Sequence, residues 1–595
     1  MRTRILPVFL SLLAPACLAQ STPADQQQPT VVTGAFDPVS FDEMDRVVTV
    51  SLAREQELLL KSIVDLLELD PSIDLQERAP DGVQTDLSIR GSNFGQTLVL
   101  LNGERLNDAQ SGHHDMDIPV PLAAISRVET LQGAGSTLYG SDAVAGAINV
   151  ITEPPEGLDA RIRTAFGNYG SNQQSVSLAD TLGSVSEQIV ASRDFSEGFM
   201  PDRDYRNLQF SSSTHYDSRL GAGDLTLAYM DHPFGANQFY GDFDSWENTK
   251  TWLAAWRQKL GKKTSVSFAY RRHSDDFVLF RENPSIYANH HSDESFQGAV
   301  RRTETLASYA TLNYGVEALS ESIISNNLGI HQRARGAAYG SLDLRALRRF
   351  SLSIAAREEI YRYFSAEFCP TVSGGVWLSS KWKLRASASR AFRVPSYTDL
   401  YYEDPANLGN PNLRPERSWT YEAGAVWNPI ARVRVDLGVF ERRERDDIDY
   451  FRTNPDALWM ALNIDNLNFS GVEGSVRWTP VRSQTIDFSY TGLRATEDTV
   501  PIGQTKYTFQ YPKQTGIVAW EAGFANGVMF RTRLAVRDRY GVGPYALLDA
   551  SAAYSRGRFR PFVELTNITG TSYQEVQGVD MPGITAMGGV ELSLK

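Results

Sequence analysis

The stretch VRVDLGVF, residues 433–440, decides the fold of this 595-residue chain. Every second position from Val433 to Val439 is apolar, whereas Arg434 and Asp436 lie between them. Because successive side chains of a β-strand point to opposite faces, such a segment has one apolar and one polar face. The same alternation recurs in KWKLRASA (381–388), TIDFSY (485–490) and LLDASAAY (547–554).

This two-faced pattern continues from Leu158 to the end of the sequence without a helical period. A soluble β-sandwich also has two-faced strands, but such a domain normally ends within about 250 residues. A transmembrane β-barrel turns its apolar face to lipid and its polar face to a wet lumen, and its closure leaves no strand edge in the membrane. At about 20 residues per strand and connection, residues 157–595 predict a membrane β-barrel of about 22 strands.

The first 19 residues have the features of a secretory signal peptide. Arg2 and Arg4 precede the apolar run ILPVFLSLLAPACLA, and small residues at Cys17 and Ala19 suit cleavage after residue 19. A lipoprotein site at Cys17 is the alternative, although Ala14 stands where that motif needs leucine. We therefore expect the chain to be exported.

The net charge bears on a nucleic-acid partner, and the cysteine content bears on disulfide bonds. The chain has 58 lysines and arginines against 71 aspartates and glutamates, and removing the signal peptide with its two arginines changes the net charge from −13 to −15. A nucleic-acid partner is disfavoured, because its phosphates need a basic face. Cys369 is the one cysteine outside the signal peptide, so no intramolecular disulfide is expected even in an oxidising compartment.

Residues 20–45 are predicted to be a polar leader that contains a single β-branched run, TVVTGAF, at residues 30–36. Two interpretations of this run remain open. It could be a strand that pairs locally, or a docking strand that adds to the sheet edge of another protein through main-chain hydrogen bonds.

Residues 46–156 are predicted to form a compact α/β unit. ELLLKSIVDLLELDP (57–71) has the apolar spacing of a short amphipathic helix, and Asn102-Gly103 is a hairpin signal between two strands. The glycine-rich stretch VETLQGAGSTLYGSDAVAGAINVIT (128–152) matches neither nucleotide-binding pattern, since Leu138 replaces a required glycine and Ser141 a required lysine. We expect these glycines to permit close backbone packing, and the whole unit to occlude a wide barrel lumen.

Two histidine pairs and four aspartates are candidate metal or ligand contacts. His113-His114 and His290-His291 are predicted on loops, where solvated polarity is the favoured interpretation because adjacent residues lack the spacing of a zinc helix. Asp242 and Asp244, with Asp275 and Asp276, could bind calcium, although plain surface charge is favoured.

Aromatic residues give a further candidate site. Phe94, Tyr401 and Tyr402 suit a pocket for a bulky planar or apolar ligand, or else serve as girdle and packing residues. No Ser-His-Asp or Cys-His arrangement can be argued from the sequence, so we do not expect an enzyme.

Five segments together resemble the TonB-dependent outer-membrane receptors over essentially the whole mature chain. TVVTGA resembles the TonB box. LSIRGSNFGQTLVLLNGERLND (87–108) and ISRVETLQGAGSTLYGSDAVAGAINVIT (125–152) resemble the plug domain of that family. AFRVPSYTDLYYEDPANLGNPNLRPERSWTYEAG (391–424) and VELTNITGTSYQEVQGVDMPG (563–583) resemble its barrel segments. Several loops look closest to the cobalamin-receptor-like branch.

The resemblance implies import of a scarce ligand, a ferric siderophore or a corrinoid, across the outer membrane, driven by the proton gradient through the partner protein TonB. It implies no required cofactor, and calcium has no support beyond the aspartates above. A passive pore or an adhesin built on a barrel is the alternative.

The resemblance also assigns residues. The TonB box would be Thr30, Val31, Val32, Thr33 and Gly34. Arg90, in the family's I-R-G motif, would latch the plug to the barrel through Glu422 and Glu473. A second latch arginine is absent, because Gln132 stands in its place. The ligand would contact plug apices and outer loops, with Phe94, His113, His114, Tyr401 and Tyr402 as candidates.

Overall fold

A computed structural model describes residues 30–31, 39–40, 45–347, 349–464, 466–497 and 503–594. The predicted signal peptide and the box residues Val32, Thr33 and Gly34 lie outside these ranges. The first two box residues form strand β1 (Thr30–Val31), which pairs antiparallel with β2 (Val39–Ser40). The segment predicted to be the TonB box therefore begins in a local pairing with its own chain.

The N-terminal unit is an α/β domain built on a five-stranded sheet. Its strands are β3 (Val48–Ser51), β4 (Ile73–Ala79), β5 (Gln84–Ile89), β6 (Thr97–Leu101), β7 (Glu104–Arg105), β8 (Ile125–Gln132) and β9 (Gly146–Thr152). The sheet order is β3-β8-β9-β6-β7, and β4 pairs with β5 in a separate ladder. Asn102 and Gly103 both have positive φ and close the hairpin between β6 and β7, as their sequence predicts.

The helical parts of this domain are single turns. They are α1 (Ala53–Gln56), α2 (Val64–Leu67) and α3 (Ser136–Tyr139), with 3-10 turns at Glu57–Leu59, Pro80–Gly82, Phe94–Gln96, Gly112–His114 and Leu122–Ala124. The prediction of a continuous helix over residues 57–71 is therefore wrong. Arg163 of the barrel donates hydrogen bonds to the carbonyls of Glu57 (2.8 Å) and Leu60 (3.0 Å). Those tertiary bonds engage carbonyls that a continuous helix would use internally.

The C-terminal unit is a closed antiparallel barrel of 22 strands, as the sequence predicts. These are β10 (Asp159–Gly167), β11 (Asn172–Leu182), β12 (Val185–Ser196), β13 (Tyr205–Ser218), β14 (Gly221–Gly235), β15 (Trp246–Leu260), β16 (Thr264–Val278), β17 (Ala288–Ala307), β18 (Ala310–Ser325), β19 (Gly329–Leu347), β20 (Phe350–Tyr361), β21 (Glu367–Ser379), β22 (Trp382–Arg393), β24 (Glu416–Ile430), β25 (Val433–Arg445), β28 (Leu467–Val481), β29 (Gln484–Glu497), β31 (Pro512–Gly523), β32 (Val528–Arg539), β33 (Gly543–Tyr554), β34 (Phe559–Thr566) and β35 (Thr585–Ser593).

The two faces of the barrel strands differ as their alternation predicts. In β22, Trp382 and Leu384 are exposed on the outer surface, whereas Lys383 between them is buried in the interior. In β25, Leu437 and Val439 are each 54% exposed. An apolar outer belt around a polar interior suits a barrel surrounded by lipid. Among the described residues, none of the helices has the length and hydrophobicity of a transmembrane span.

The barrel has one end with short turns and one with longer connections. Residues 183–184 and 431–432 are examples of the former, and 394–415 and 446–466 of the latter. Because outer-membrane barrels have short periplasmic turns and longer extracellular loops, we assign the long connections to the outer face. They contain α4 (Tyr397–Tyr401) and a sheet in the order β23-β27-β26-β30. The strands of this sheet are β23 (Asn407–Leu408), β26 (Asp447–Arg452), β27 (Trp459–Ile464) and β30 (Gln504–Thr505).

The α/β domain lies inside the barrel as a plug. Its charged groups pair with strands that are far apart around the barrel wall, which requires the domain to occupy the lumen. The ion pairs are Glu57 with Arg161, Asp108 with Arg271, Asp45 with Lys383, Arg90 with Glu422, and Asp74 with Arg539.

The glycine-rich stretch brings plug backbone against barrel carboxylates. Gly133 has φ +79°, and a Cβ built there would lie 2.8 Å from the Glu422 carboxylate. At Gly140, with φ +84°, a Cβ would lie 2.6 Å from Glu359. Glycine is favoured at both positions because an L side chain would be strained at this positive φ and its Cβ would displace the neighbouring carboxylate.

Candidate functional site

Two 3-10 turns form the outer tip of the plug, called here the plug apex (residues 94–96 and 112–114). The side chains of Asn93 and Ser111 accept hydrogen bonds from backbone N–H groups at the start of each turn. The turns pack tightly, since a Cβ on Gly112 would lie 2.8 Å from the Phe94 ring. Asn93 also donates to the carbonyl of Ile448 in the outer-loop sheet (3.1 Å), so the apex faces the outer loops.

Phe94 and His113 form an aromatic cluster with Tyr507 of an outer loop. The Phe94 and His113 rings stack with centroids 4.2 Å apart, and Tyr507 meets Phe94 edge-on at 5.0 Å. His113 Nδ1 lies 2.6 Å from a carboxylate oxygen of Asp86. Burial lowers the pKa of His113 despite the opposing effect of Asp86. The structure thus brings together two of the five predicted ligand-contact residues.

Tyr401 and Tyr402 lie in a separate cluster around α4. The Tyr401 ring stacks on His331 with centroids 3.7 Å apart and planes 4° from parallel. The hydroxyls of Tyr402 and Tyr287 are 3.3 Å apart. These contacts engage both tyrosines with protein neighbours. They are not in the Phe94 cluster.

The loop that carries α4 is joined directly to the plug. Tyr397 N–H donates to the carbonyl of Ala109 (2.9 Å), and Thr398 N–H donates to the carbonyl of Gln110 (3.0 Å). A displacement of the plug loop at residues 109–110 would therefore act on an outer loop.

His114 is buried in a polar network between plug and barrel, so the favoured prediction of a solvated loop is wrong for this residue. Its side chain is 5% exposed. It lies 3.5 Å from Asp275, 3.8 Å from Asp117 and 4.0 Å from Glu247. Burial opposes protonation of His114, but Asp275 outweighs it and the pKa of His114 rises to about 9.

Hydrogen bonds to Asp115 hold the conformation of the plug loop at residues 107–115. Asp115 accepts hydrogen bonds from the backbone N–H of Asp108 (2.9 Å) and from the Asn107 side chain (2.7 Å). This bracing directs residues 113–114 toward neighbouring protein groups.

The second histidine pair lies on strand β17 and not on a loop. His290 is exposed and pairs with Asp276 at 2.8 Å, whereas His291 is buried. Neighbouring strand β16 alternates in a similar way, with Asp275 buried and Asp276 half-buried.

The calcium alternative receives no geometric support from the two loop aspartates. Within the described ranges, every group of side chains close enough to share a metal ion contains histidine, and none includes Asp242, Asp244 or Asp276.

Arg90 joins the plug to two barrel strands. Its Nε and Nη2 atoms lie 2.7 and 2.6 Å from the two carboxylate oxygens of Glu473, and Nη1 lies 2.5 Å from Glu422. Its guanidinium also lies over the Phe440 ring, 4.4 Å from the centroid. Gln132 accepts a hydrogen bond from Arg90 (3.2 Å). The three residues expected to form a latch are thus in direct contact.

A further arginine was missed by the sequence analysis. Arg46 donates to the carbonyl of Ala134 and interacts with the charge of Glu422. It therefore brings a second positive charge to the region where Gln132 replaces the expected arginine. Its position at the start of the domain gave no signal of this role, because the proximity depends on how β3 enters the plug.

Both parts of the chain match sequence models of one family. The model described as "TonB-dependent Receptor Plug Domain" matches residues 42–147. The model described as "TonB dependent receptor-like, beta-barrel" matches residues 154–568.

Individual relatives are more distant. The chain is 23% identical over 499 residues to the vitamin B12 transporter BtuB of Vibrio vulnificus strain YJ016, covering 78% of each chain. The crystal structure of the siderophore receptor PirA from Acinetobacter baumannii aligns with TM-score 0.77 at 14% identity, covering 92% of this chain and 98% of that one. The ferric yersiniabactin uptake receptor FyuA from Yersinia pestis aligns with TM-score 0.75 at 15% identity, covering 93% and 98%. These two structures share the fold.

Proposed function

The chain belongs to the TonB-dependent receptor family, and from that premise we propose that it imports a scarce extracellular ligand across the outer membrane. The ligand binds at the outer face, between the plug apex and the outer loops. TonB then couples the proton gradient of the inner membrane to rearrangement of the plug. A ferric siderophore and a corrinoid are the two ligand classes that the named relatives suggest.

The observation that carries this proposal is a plug held inside a closed barrel by buried ion pairs. A passive pore needs an open lumen, but here the lumen contains a domain whose charges pair with the wall on several sides. Ligand passage then requires the plug to move. Breaking buried ion pairs costs several kcal/mol each, so an external source of energy is expected.

TonB would transmit energy to the plug by binding the segment that precedes it. Residues 30–34 are rich in β-branched side chains, which favour strand formation. Strand addition to TonB would use main-chain hydrogen bonds. At Thr30 and Val31 it would replace the local pairing with Val39 and Ser40. Outer-membrane localisation follows from the same proposal, since TonB must be reached from the periplasmic side.

The ligand would first contact aromatic side chains at the plug apex. Phe94, His113 and Tyr507 offer aromatic rings at the plug apex. Such rings bind planar or apolar groups through their faces. Because loop 394–415 is hydrogen-bonded to the plug at residues 109–110, ligand contacts at the apex and changes in this loop would be coupled.

The proposal is tested by deleting residues 30–34 and measuring uptake of radiolabelled cobalamin and ferric siderophores by intact cells. We expect uptake to fall to background while binding of ligand at the cell surface is retained. Replacing residues 24–28 of the leader with glycine and serine is the matched control and should leave uptake unchanged. Undiminished uptake by the deletion variant would refute energy-coupled import.

A further inference from the structure

The outer ends of strands β14–β17 carry, on their inner faces, a patch of histidines and carboxylates, the side-chain types that bind metal ions. All of its barrel members are at most 6% exposed: His232, Glu247, His273, Asp275, His291 and Asp293. His114 of the plug faces this patch. Four of the eight histidines in the whole chain therefore lie in one place.

The patch has two halves with different charge balance. In one half, Arg271 donates to Asp108 (2.8 Å) and to Asp293 (3.1 Å), so an arginine offsets both carboxylates. In the other half, the ion pairs of Glu247 and Asp275 are with His114. Two buried carboxylates there share one imidazole and contact no guanidinium among the described residues, so a protonated His114 balances only one of the two charges. Burying such charges is costly unless a cation compensates them.

The donor atoms of the second half are spaced as a metal site requires. His114 Nε2 lies 3.5 Å from Asp275 Oδ2 and 4.0 Å from Glu247 Oε1. One donor atom from each residue lies within 4.8 Å of the others. In a tetrahedral zinc site with bonds of about 2.0–2.2 Å, neighbouring donors are about 3.3–3.6 Å apart. Small side-chain movements would complete that geometry.

A further candidate donor lies beside Asp275. His291 is directly opposite Asp275 in the register of β16 and β17, and opposite residues have Cβ atoms about 5 Å apart. Among the described residues, His291 Nδ1 and Asp275 Oδ1 are buried without a hydrogen-bond partner. Buried polar atoms are normally satisfied, and a bound cation would satisfy both.

The other nitrogen of His114 is also supported. His114 Nδ1 lies 3.8 Å from Asp117. A metal-binding histidine commonly donates its second ring N–H to a carboxylate, which fixes its tautomer and orientation. Asp117 is placed to act in this way.

We propose that His114, Glu247 and Asp275, with His291 as fourth donor, bind a bare divalent transition-metal ion, for which Zn²⁺ is the probe. Mixed imidazole and carboxylate donors suit Zn²⁺ and its neighbours. The site joins one plug residue to three barrel strands. On the proposed import function, on which this role as a cargo site rests, movement of the plug would withdraw His114 and release the ion inward.

The test uses the full-length receptor purified in detergent, stripped with a chelator and titrated with Zn²⁺. We expect one ion per chain, and at least a tenfold weaker affinity in His114→Ala and in the nearly isosteric Glu247→Gln. Loss of an outer-shell partner alone costs 10–100-fold. His290→Ala is the matched control, because His290 is adjacent to His291 but 63% exposed; its affinity should equal that of the wild type.

Folding of each variant is checked by the heat-dependent mobility of the barrel on gels. A wild-type receptor that binds no Zn²⁺, or binds it only as a chelate, would overturn the proposal. So would a folded His114→Ala variant with wild-type affinity, because His114 would then be only an ion-pair partner of Asp275 and Glu247.

Cellular uptake separates this proposal from the import proposal. Zn²⁺ uptake is compared in cells carrying the wild type, His114→Ala and the deletion of residues 30–34. If the purified receptor binds Zn²⁺ through His114 but the deletion leaves all uptake intact, the import proposal fails and the metal site stands. If the deletion abolishes uptake of another ligand while the purified receptor binds no Zn²⁺, the metal site alone fails.

Discussion

Arg90 and Glu473 form a two-pronged ion pair, with Nε and Nη2 lying 2.7 and 2.6 Å from the two carboxylate oxygens. The pair joins plug to barrel over 383 positions of sequence. Since Nη1 of the same guanidinium contacts Glu422, one plug side chain binds two wall carboxylates.

We expect Arg90→Ala to loosen the plug strongly. Removing the arginine leaves Glu422 and Glu473 without their shared partner, and breaking a buried pair in this way costs about 3–5 kcal/mol. Amide hydrogen exchange in β5 and β8 should become faster. Arg443→Ala is the control, because Arg443 on β25 pairs with Glu441 at an exposed site; equal exchange rates in the two variants would contradict a latch at Arg90.

Gly133→Ala should destabilise the plug more than Gly157→Ala does. Both glycines have positive φ, so both substitutions incur the left-handed penalty of about 1–2 kcal/mol. Only at Gly133 would the new Cβ meet a neighbour, the Glu422 carboxylate, because nothing lies within 4 Å at Gly157. Chemical denaturation of the plug, monitored by limited proteolysis, measures the difference in plug stability between the two variants. Identical behaviour would mean that the plug backbone is not pressed against the wall.

Tyr401→Ala should free the outer loop at residues 394–415. The substitution removes the ring that stacks on His331, an interaction worth about 0.5–1.5 kcal/mol beyond buried area. Protease cleavage within this loop on intact cells should increase several-fold. Tyr363→Ala serves for comparison, since Tyr363 is 68% exposed, and it should leave the cleavage rate unchanged.

Arg163→Leu should disturb residues 57–60 of the plug. Arg163 donates to the carbonyls of Glu57 and Leu60 and pairs with Glu564. Its loss removes these bonds from the Leu60 carbonyl and the Glu564 carboxylate, at about 1–3 kcal/mol each, whereas the Glu57 carbonyl keeps its bond from the Leu60 N–H. Hydrogen exchange should rise at residues 57–60 while β8 and β9 keep wild-type rates. A uniform rise across the plug would show instead that the whole domain had loosened.

The barrel could be predicted from the sequence because the alternation of apolar and polar residues depends only on neighbouring positions. Alternation in segments such as 433–440 needs only the period of a strand, and residue counting then gives the strand number. The hairpin at Asn102-Gly103 is local in the same way. The broken helix at 57–71 was missed because its carbonyls bind Arg163, about a hundred positions further along the chain.

The candidate site was only partly predictable for a similar reason. The latch residues could be named from the family resemblance, and the structure places them in contact. The environment of His114 depends on which residues of β15–β17 stand opposite each other, and a single sequence does not reveal that register. Adjacent residues such as His290 and His291 therefore looked equivalent, although the strand turns one outward and the other inward.

The attachment of Asp45 has a mechanical consequence. Asp45 is the last residue of the predicted leader, and it contacts the barrel wall at Lys383 (3.1 Å) and Ser351 (2.6 Å). On the proposed function, a pull by TonB on residues 30–34 would reach this attachment before it reaches Arg46 or Arg90. The force would therefore break the plug–barrel contacts one after another. The peak force would be lower than the force needed to break all of them at once.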